Sequence, residues 1–123
     1  MRIVTAEPGG GLDIAARLIA QGLSGALGQQ VVIDNRGGSV AIPAGLVAKA
    51  VPDGYTLLMA GAANAINMSL YAKLPYDTVR DFAPVSLSVK GANVLLVHPS
   101  LPAKNLKELL ALARAQPGKL NYA

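Results

Sequence analysis

The stretch Pro8-Gly9-Gly10-Gly11-Leu12-Asp13 decides how the rest of the chain is read, because it joins a short apolar run to a long helical pattern. Three consecutive glycines free the backbone to adopt positive φ angles and let another molecule approach the main chain closely. A helix that begins directly after such a turn points its unpaired N–H groups and the positive end of its dipole into the turn. The stretch is therefore either an anion cradle, suited to a carboxylate or a phosphate, or a tight connection from strand to helix.

The segments around this turn alternate between strand and helix patterns. Apolar, β-branched runs predict short buried strands, and apolar residues at helical spacing predict helices. The helix after the glycines should end at Gly28, a residue suited to the left-handed conformation that closes helices. Strands are predicted at 2–6, 31–33 and 55–59, and helices at 12–27 and 43–51. This order predicts an α/β fold with a mostly parallel sheet flanked by helices.

A second loop of small residues, Ala60-Gly61-Ala62-Ala63-Asn64, follows the third predicted strand and leads into a short helical piece ending near Leu70. In open α/β sheets, ligands bind beyond the carboxyl ends of the strands. The glycine turn and this second loop both follow such ends. Together they predict a pocket that exposes main-chain groups.

The second half of the chain is broken by prolines. Two more strands are predicted at Ala83–Val89 and Val94–His98, and Asn105 with Glu108 forms a capping-box pattern ahead of a last helix. Pro117-Gly118 ends that helix, and a further strand is predicted from Leu120. A chain that stops where a strand begins is expected to be part of something longer.

Composition excludes several classes of protein. The 123 residues are 52% hydrophobic and 15% charged, as expected for one globular domain rather than a disordered tail. The net charge of +4 is not clustered and aromatic residues are few, which disfavours a nucleic-acid surface. Cysteine is absent, so thiol chemistry and disulfides are excluded. The longest apolar stretch is too short to span a bilayer, and no signal-peptide segment precedes the first strand.

The residues give little support to catalysis. Gly9, Gly11 and Asp34 match part of the dinucleotide fingerprint, so a Rossmann-type nucleotide-binding enzyme is the alternative hypothesis. Ile14 opposes it, because that position calls for glycine or alanine. The single histidine, His98, has no partner that would make it a catalytic base, and no metal-ligand spacing surrounds it. We therefore predict no enzymatic activity, no catalytic residue, no metal and no cofactor.

Several motifs together resemble one known family. They are Pro8-Gly9-Gly10-Gly11-x-Asp13, Leu27-Gly28-Gln29-x-Val31-Val32, Asp34-Asn35-Arg36, Pro52-Asp53-Gly54-Tyr55-Thr56-Leu57-Leu58, Lys73-Leu74-Pro75-Tyr76-Asp77, Asp81-Phe82-Ala83-Pro84-Val85, His98-Pro99-Ser100-Leu101-Pro102 and Pro117-Gly118-Lys119-Leu120-Asn121-Tyr122. In this order they resemble the Bug-type substrate-binding receptors of tripartite tricarboxylate transporters. The resemblance extends over nearly the whole chain.

The resemblance implies a two-lobed periplasmic binding protein of type II that closes on a small organic acid and delivers it to membrane permease subunits. The ligand carboxylate would be held by main-chain groups of the loops after the first and third strands. The implied ligand-binding residues are Pro8, Gly9, Gly10, Gly11, Asp13, Ala60, Gly61, Ala62, Ala63 and Asn64. Without the family, Asp13 is read as a carboxylate that stabilises the first turn of its helix.

The sequence also departs from the family pattern. Leu12 stands where threonine or serine is common, which removes a hydroxyl from the cradle, and Glu7 places a negative charge beside an anion site. Members of the family are more than twice as long and carry an export signal. Residues 1–98 are thus expected to form the first-lobe α/β portion, and 99–123 the crossover and incomplete start of the second lobe. We expect such a fragment to bind weakly and to self-associate through its uncovered surface; a remnant without function is a third reading.

Overall fold

A computed structural model describes residues 1–121 and forms a parallel three-stranded sheet flanked by helices. In chain order the elements are β1 Arg2–Thr5, α1 Gly11–Leu27, β2 Val32–Asn35, α2 Ala41–Ala48, β3 Thr56–Leu58, α3 Ala62–Leu70 and α4 Leu106–Ala115. The strand order is β2-β1-β3, with both neighbours parallel to β1. The α/β class and the parallel sheet predicted from the sequence are confirmed.

The central strand sets the register of the sheet. Ile3 of β1 pairs with Ile33 of β2 on one side and with Leu57 of β3 on the other. Because side chains alternate along a strand, these three residues face the same side of the sheet. They meet α1 there, in a core formed by Ile3, Ala16, Ala20 and Val31 with Met1, Ile19, Leu23, Ile33, Leu57 and Met59 around it. Val4 faces the other side, where α2 packs on β1 and β3, and it is fully buried.

The ends of the helices follow the local sequence. Gly28 has a φ of 61° and closes α1 in the left-handed conformation, as predicted. At α4, the Asn105 side chain accepts the N–H of Glu108 at 3.0 Å, while the Glu108 carboxylate accepts the N–H of Lys104 at 2.7 Å. The predicted capping at Asn105 is thus present. Pro117-Gly118 follows the end of α4, with Gly118 at a φ of 71°.

Two predicted strands are wrong. The segments Ala83–Val89 and Val94–His98 contain neither strand nor helix. A β-branched segment becomes a strand only when a neighbour takes up its backbone hydrogen bonds, and no residue in 1–121 pairs with either segment. Their apolar side chains are accordingly exposed, with Val85 and Leu87 at 81% and Leu96 at 83%. The strand predicted from Leu120 extends beyond the described residues.

The chain contacts divide the structure into two compact units, Met1–Lys90 and a second that begins at Gly91. The first unit holds the sheet and α1 to α3, and the second holds α4. The predicted division at 98 and 99 concerns the lobes of a complete two-lobed protein and stays a prediction. No helix in the described part of the chain is both long and apolar enough to cross a membrane.

Candidate functional site

The two loops of small residues lie at the same edge of the sheet. β1 and β3 are parallel neighbours, so the turn after β1 and the loop after β3 both leave from the carboxyl edge. The side chain of Leu12, from the first loop, packs against Gly61 of the second. It lies so close that a Cβ added to Gly61 would be 3.3 Å from Cδ2 of Leu12. The structure thus brings together the two loops that the sequence analysis singled out.

The helix after the first turn starts without a side-chain cap. Gly10 is the N-cap residue and has no side chain to accept an amide, although its carbonyl accepts the Ile14 N–H at 3.0 Å. No acceptor within residues 1–121 takes the N–H of Gly11 or of Leu12. These amides therefore remain unused, in the described part of the chain, at the positive end of a 17-residue helix.

The second helix N-terminus at this edge is built in the same way. Gly61 is the N-cap of α3; its N–H donates to Oδ1 of Asn64 at 2.9 Å, and its carbonyl accepts the Asn64 N–H at 3.0 Å. Asn64 is 4% exposed and therefore orders the turn from inside. The N–H groups of Ala62 and Ala63 have no acceptor in the described residues. Two helix N-termini with unused amides thus stand side by side.

Not every predicted residue has a free amide. Pro8 has none, Gly9 donates to the Asp13 carboxylate at 2.8 Å, and Gly10 makes a long bond of 3.4 Å to the Glu7 carbonyl. Of the predicted binding residues, Gly11, Ala62 and Ala63 each keep an N–H group with no acceptor in residues 1–121. Leu12, which the sequence analysis did not include, has another. Ala60 and Gly61 complete the second loop at the edge of the sheet.

Asp13 is buried under the turn, with only 3% of its surface exposed. Its Oδ2 accepts the Gly9 N–H and the Arg17 Nε at 3.0 Å, and its Oδ1 accepts Nδ2 of Asn35 at 2.8 Å. These donors, led by the bond from Arg17, favour the charged form and lower the pKa of Asp13 to about 2. The predicted i,i+4 pair between Asp13 and Arg17 is confirmed.

Asn35 is a second residue at this edge, after Leu12, that the sequence analysis did not include in the site. It ends β2, and its Nδ2 donates to both the Ala6 carbonyl at 3.2 Å and the Asp13 carboxylate. Its Oδ1 accepts from Arg17 at 3.1 Å. The sequence signal for Asn35 was its place at the end of a predicted strand. That this strand lies beside β1 follows only from the strand order in the structure.

Asp34, the residue that would bind a ribose in the nucleotide-binding alternative, already forms ion pairs with two arginines. Oδ1 of Asp34 lies 2.8 Å from Nε of Arg36, and its Oδ2 lies 3.5 Å from Arg2. A ribose hydroxyl would have to compete with two guanidinium groups for this carboxylate. The position of Asp34 therefore gives the Rossmann alternative no advantage.

The two loops form an exposed surface of this chain, with residues 8–11, 60 and 62 all exposed. A cleft of about 430 Å³ lies between the end of α3 and residues 71–81, and another of about 620 Å³ lies beside Arg2 and Asp34. None of the predicted binding residues lines either cleft. Within residues 1–121, no three histidine, aspartate or glutamate side chains come together as a metal site would require.

An α/β domain with amide-exposing loops at the carboxyl edge of a parallel sheet belongs to the class of folds that bind small ligands at that edge. The chain belongs to the tripartite tricarboxylate transporter receptor family, whose description is "Tripartite tricarboxylate transporter family receptor" and whose model matches residues 15–123. The resemblance noted in the sequence is therefore confirmed. The family match begins just after the Pro8–Asp13 turn, whereas individual relatives also align through that turn.

Relatives of known sequence include Protein BugT of Bordetella pertussis, 38% identical over 98% of this chain. Another is a UPF0065 protein from the tcbD-tcbE intergenic region of Pseudomonas sp. strain P51, 41% identical over 98% of the chain. The chain spans only 38% and 36% of the length of these two relatives. The solved structure "R. palustris Rpa4515 with adipate" matches with a TM-score of 0.83 and 41% identity, over 99% of this chain and 43% of that one. The comparisons give the Rossmann alternative no support.

Proposed function

We propose that this chain is the ligand-binding first part of a periplasmic receptor that takes up a small organic acid for a tripartite tricarboxylate transporter. The observation that carries the proposal is that α1 and α3, which follow adjacent strands, both begin after a glycine N-cap with backbone amides that are unused in residues 1–121. Their unused amides at Gly11, Leu12, Ala62 and Ala63 suit the oxygens of one carboxylate. That the related Rpa4515 structure is described with adipate supports a carboxylate as the ligand class.

The proposed ligand-binding residues are those named from the sequence, with Leu12 added for its main-chain N–H. Pro8, Gly9 and Gly10 shape the first turn, and Ala60, Gly61 and Asn64 shape the second. The proposed role is solute recognition rather than catalysis, and the proposed contacts are made by the main chain, with no cofactor.

The number of helix N-termini at the proposed site limits the free energy with which the chain can bind a carboxylate. One helix N-terminus contributes about 0.3–1 kcal/mol to an anion, and about 2 kcal/mol when it is partly buried. Two such ends supply at most about 4 kcal/mol, which corresponds to millimolar affinity, whereas micromolar affinity requires about 8 kcal/mol. We infer that tight binding needs a facing lobe that removes water from the ligand. In the proposed complete receptor, residues 1–98 form the first lobe, 99–123 begin the second, and the permease subunits receive the closed form.

The proposal is tested by an NMR titration of the ¹⁵N-labelled 123-residue chain with adipate and with acetate. Expected are shifts in fast exchange at the amides of Gly11, Leu12, Ala62 and Ala63, with a dissociation constant in the millimolar range. Adipamide is the matched control, because it has the same length and no charge, and it should leave these amides unchanged.

Two results would overturn the proposal. One is that carboxylates move none of the four amides, and the other is that adipamide moves them as much as adipate does. Tight one-to-one binding of adipate in isothermal titration would instead refute the requirement for a facing lobe. A response to NAD that centres on Asp34 would favour the nucleotide-binding alternative.

A further inference from the structure

The turn before α1 is held in an unusual way. A carboxylate at the third helical position ordinarily returns to the N–H of the N-cap residue. Here the carboxylate of Asp13 accepts the N–H of Gly9, one residue before the N-cap Gly10. Gly9 adopts a φ of 77°, which glycine tolerates without steric cost. The bond therefore fixes the turn itself and leaves the amides of Gly11 and Leu12 unused.

Asp13 has no oxygen to spare for a ligand. Three donors, from Gly9, Arg17 and Asn35, occupy its two oxygens, and the side chain is buried. An unpaired carboxylate beside an anion site would repel the anion, whereas one paired with Arg17 carries its charge in a neutral pair. Asp13 can therefore influence a ligand only indirectly, through the turn at Gly9 that it holds in place.

Asn35 holds Asp13 in place from the end of β2. Its Nδ2 donates to the ends of both β1 and α1, through the Ala6 carbonyl and the Asp13 carboxylate, while its Oδ1 accepts from Arg17. Aspartate at this position would have the same shape, but it could donate no hydrogen bond and would face Asp13 with a like charge. The position therefore requires an amide.

We propose that Asp13 and Asn35 are positioning residues, which lock the Gly9 turn so that the amides of Gly11 and Leu12 stay open to the anion. The part of this inference that concerns the anion rests on the proposed function. The locking of the turn does not, because it concerns contacts within the chain alone.

The test measures the exchange of the Gly9 N–H with water by NMR in the 123-residue chain and its variants. Both single variants should weaken this hydrogen bond, Asp13→Asn by removing the charge of the acceptor and Asn35→Asp by facing Asp13 with a like charge, and each should speed the exchange about tenfold. The double variant Asp13→Asn/Asn35→Asp exchanges the amide and the carboxylate between the two positions, so an amide N–H again faces a carboxylate oxygen. It should recover part of the protection of the Gly9 N–H. Asp53→Asn is the control, because Asp53 holds a separate turn by accepting the Tyr55 N–H at 2.9 Å, and it should leave Gly9 unchanged.

The unsubstituted chain provides the same test if a variant does not fold. Protonation of Asp13 removes its charge and weakens its bond to Gly9. The protection of the Gly9 N–H, which is the exchange rate of an unstructured amide at the same pH divided by that of Gly9, should therefore fall as the pH falls towards 2 and not near 4, where an ordinary aspartate titrates. Unchanged protection of the Gly9 N–H in the folded variants, or through this titration, would overturn the proposal.

The failure of the proposed function is recognised separately. If carboxylates leave Gly11 and Leu12 unmoved in the unsubstituted chain while Gly9 responds as described, the turn is locked but the site is not an anion site. If carboxylates move Gly11 and Leu12 equally in the unsubstituted chain and in the two single variants, the site binds anions and Asp13 and Asn35 do not position it.

Discussion

The carboxylate of Glu7 fills the space beside Gly37, and this pair ties the turn after β1 to the loop after β2. A Cβ added to Gly37 would lie 2.6 Å from Oε2 of Glu7, and Oε1 accepts the N–H of Gly38. The φ of Gly37 is not in the left-handed region, so glycine is needed here for room and not for its backbone freedom. The sequence analysis expected this carboxylate to place a negative charge beside an anion site, and the structure shows that it accepts a hydrogen bond from Gly38.

Replacing Gly37 with alanine should displace Glu7 and break its bond to Gly38. Since Glu7 lies at the surface and its carboxylate can move aside, the free energy of unfolding should fall by only about 1 kcal/mol. In a Glu7→Ala background the same substitution should cost nothing further, because the clashing group is gone. A double-mutant cycle on thermal or urea unfolding measures this coupling, and additive effects would show that the two residues do not interact.

Asp13 should make the stability of the chain sensitive to acid. Its pKa is lowered to about 2 in the folded state by Arg17, Asn35 and Gly9, against about 3.9 for an unfolded aspartate. The unfolded state therefore binds the proton first, so the stabilisation is complete above about pH 4 and is lost as the pH falls towards 2. Melting temperatures measured between pH 5 and pH 2 should fall less steeply in Asp13→Asn than in the unsubstituted chain.

Asp77 provides the comparison for that experiment. Its pKa is also lowered, by the backbone N–H groups of Arg80 and Val79, so it contributes an acid-sensitive term of the same sign. Asp77→Asn should remove that term and leave the term of Asp13 in place. Acid profiles of Asp13→Asn that run parallel to those of the unsubstituted chain would contradict the assignment to Asp13.

Leu12, which lies against Gly61, stands at the position where the family resemblance implies a residue with a hydroxyl group. Leu12→Thr should restore a donor at the cradle and strengthen binding of acetate by about 1.5 kcal/mol, roughly tenfold, since hydrogen bonds to charged groups are the strong ones. Leu12→Val is the matched control, because valine has the shape of threonine without its hydroxyl. Both variants should lose similar stability through the shortened side chain, and equal acetate affinities in the NMR titration would rule out a role for the hydroxyl.

The sequence predicted best what depends on neighbours along the chain. The Gly28 end of α1, the capping of α4 by Asn105 and the i,i+4 pair of Asp13 with Arg17 are all set within a few residues. Asn35 was missed because its partners, Ala6 and Asp13, are 29 and 22 residues away and become neighbours only through the pairing of β1 with β2. Ala83–Val89 was predicted as a strand from its sequence alone, which indicates at most a preference, while a strand also needs a partner.

The segments Ala83–Val89 and Val94–His98, with which no residue in 1–121 pairs, lead to a last prediction, that the 123-residue chain self-associates. Exposed apolar segments with unpaired backbone groups pair readily with other chains. Sedimentation velocity should show association that increases with concentration, and Leu87→Lys with Leu96→Lys should reduce it by adding charge to the two segments. Val51→Lys is the control, because Val51 is also highly exposed, at 72%, but lies outside the segments. A monomer at millimolar concentration would contradict the prediction, and equal suppression by Val51→Lys would show that net charge, rather than these segments, governs association.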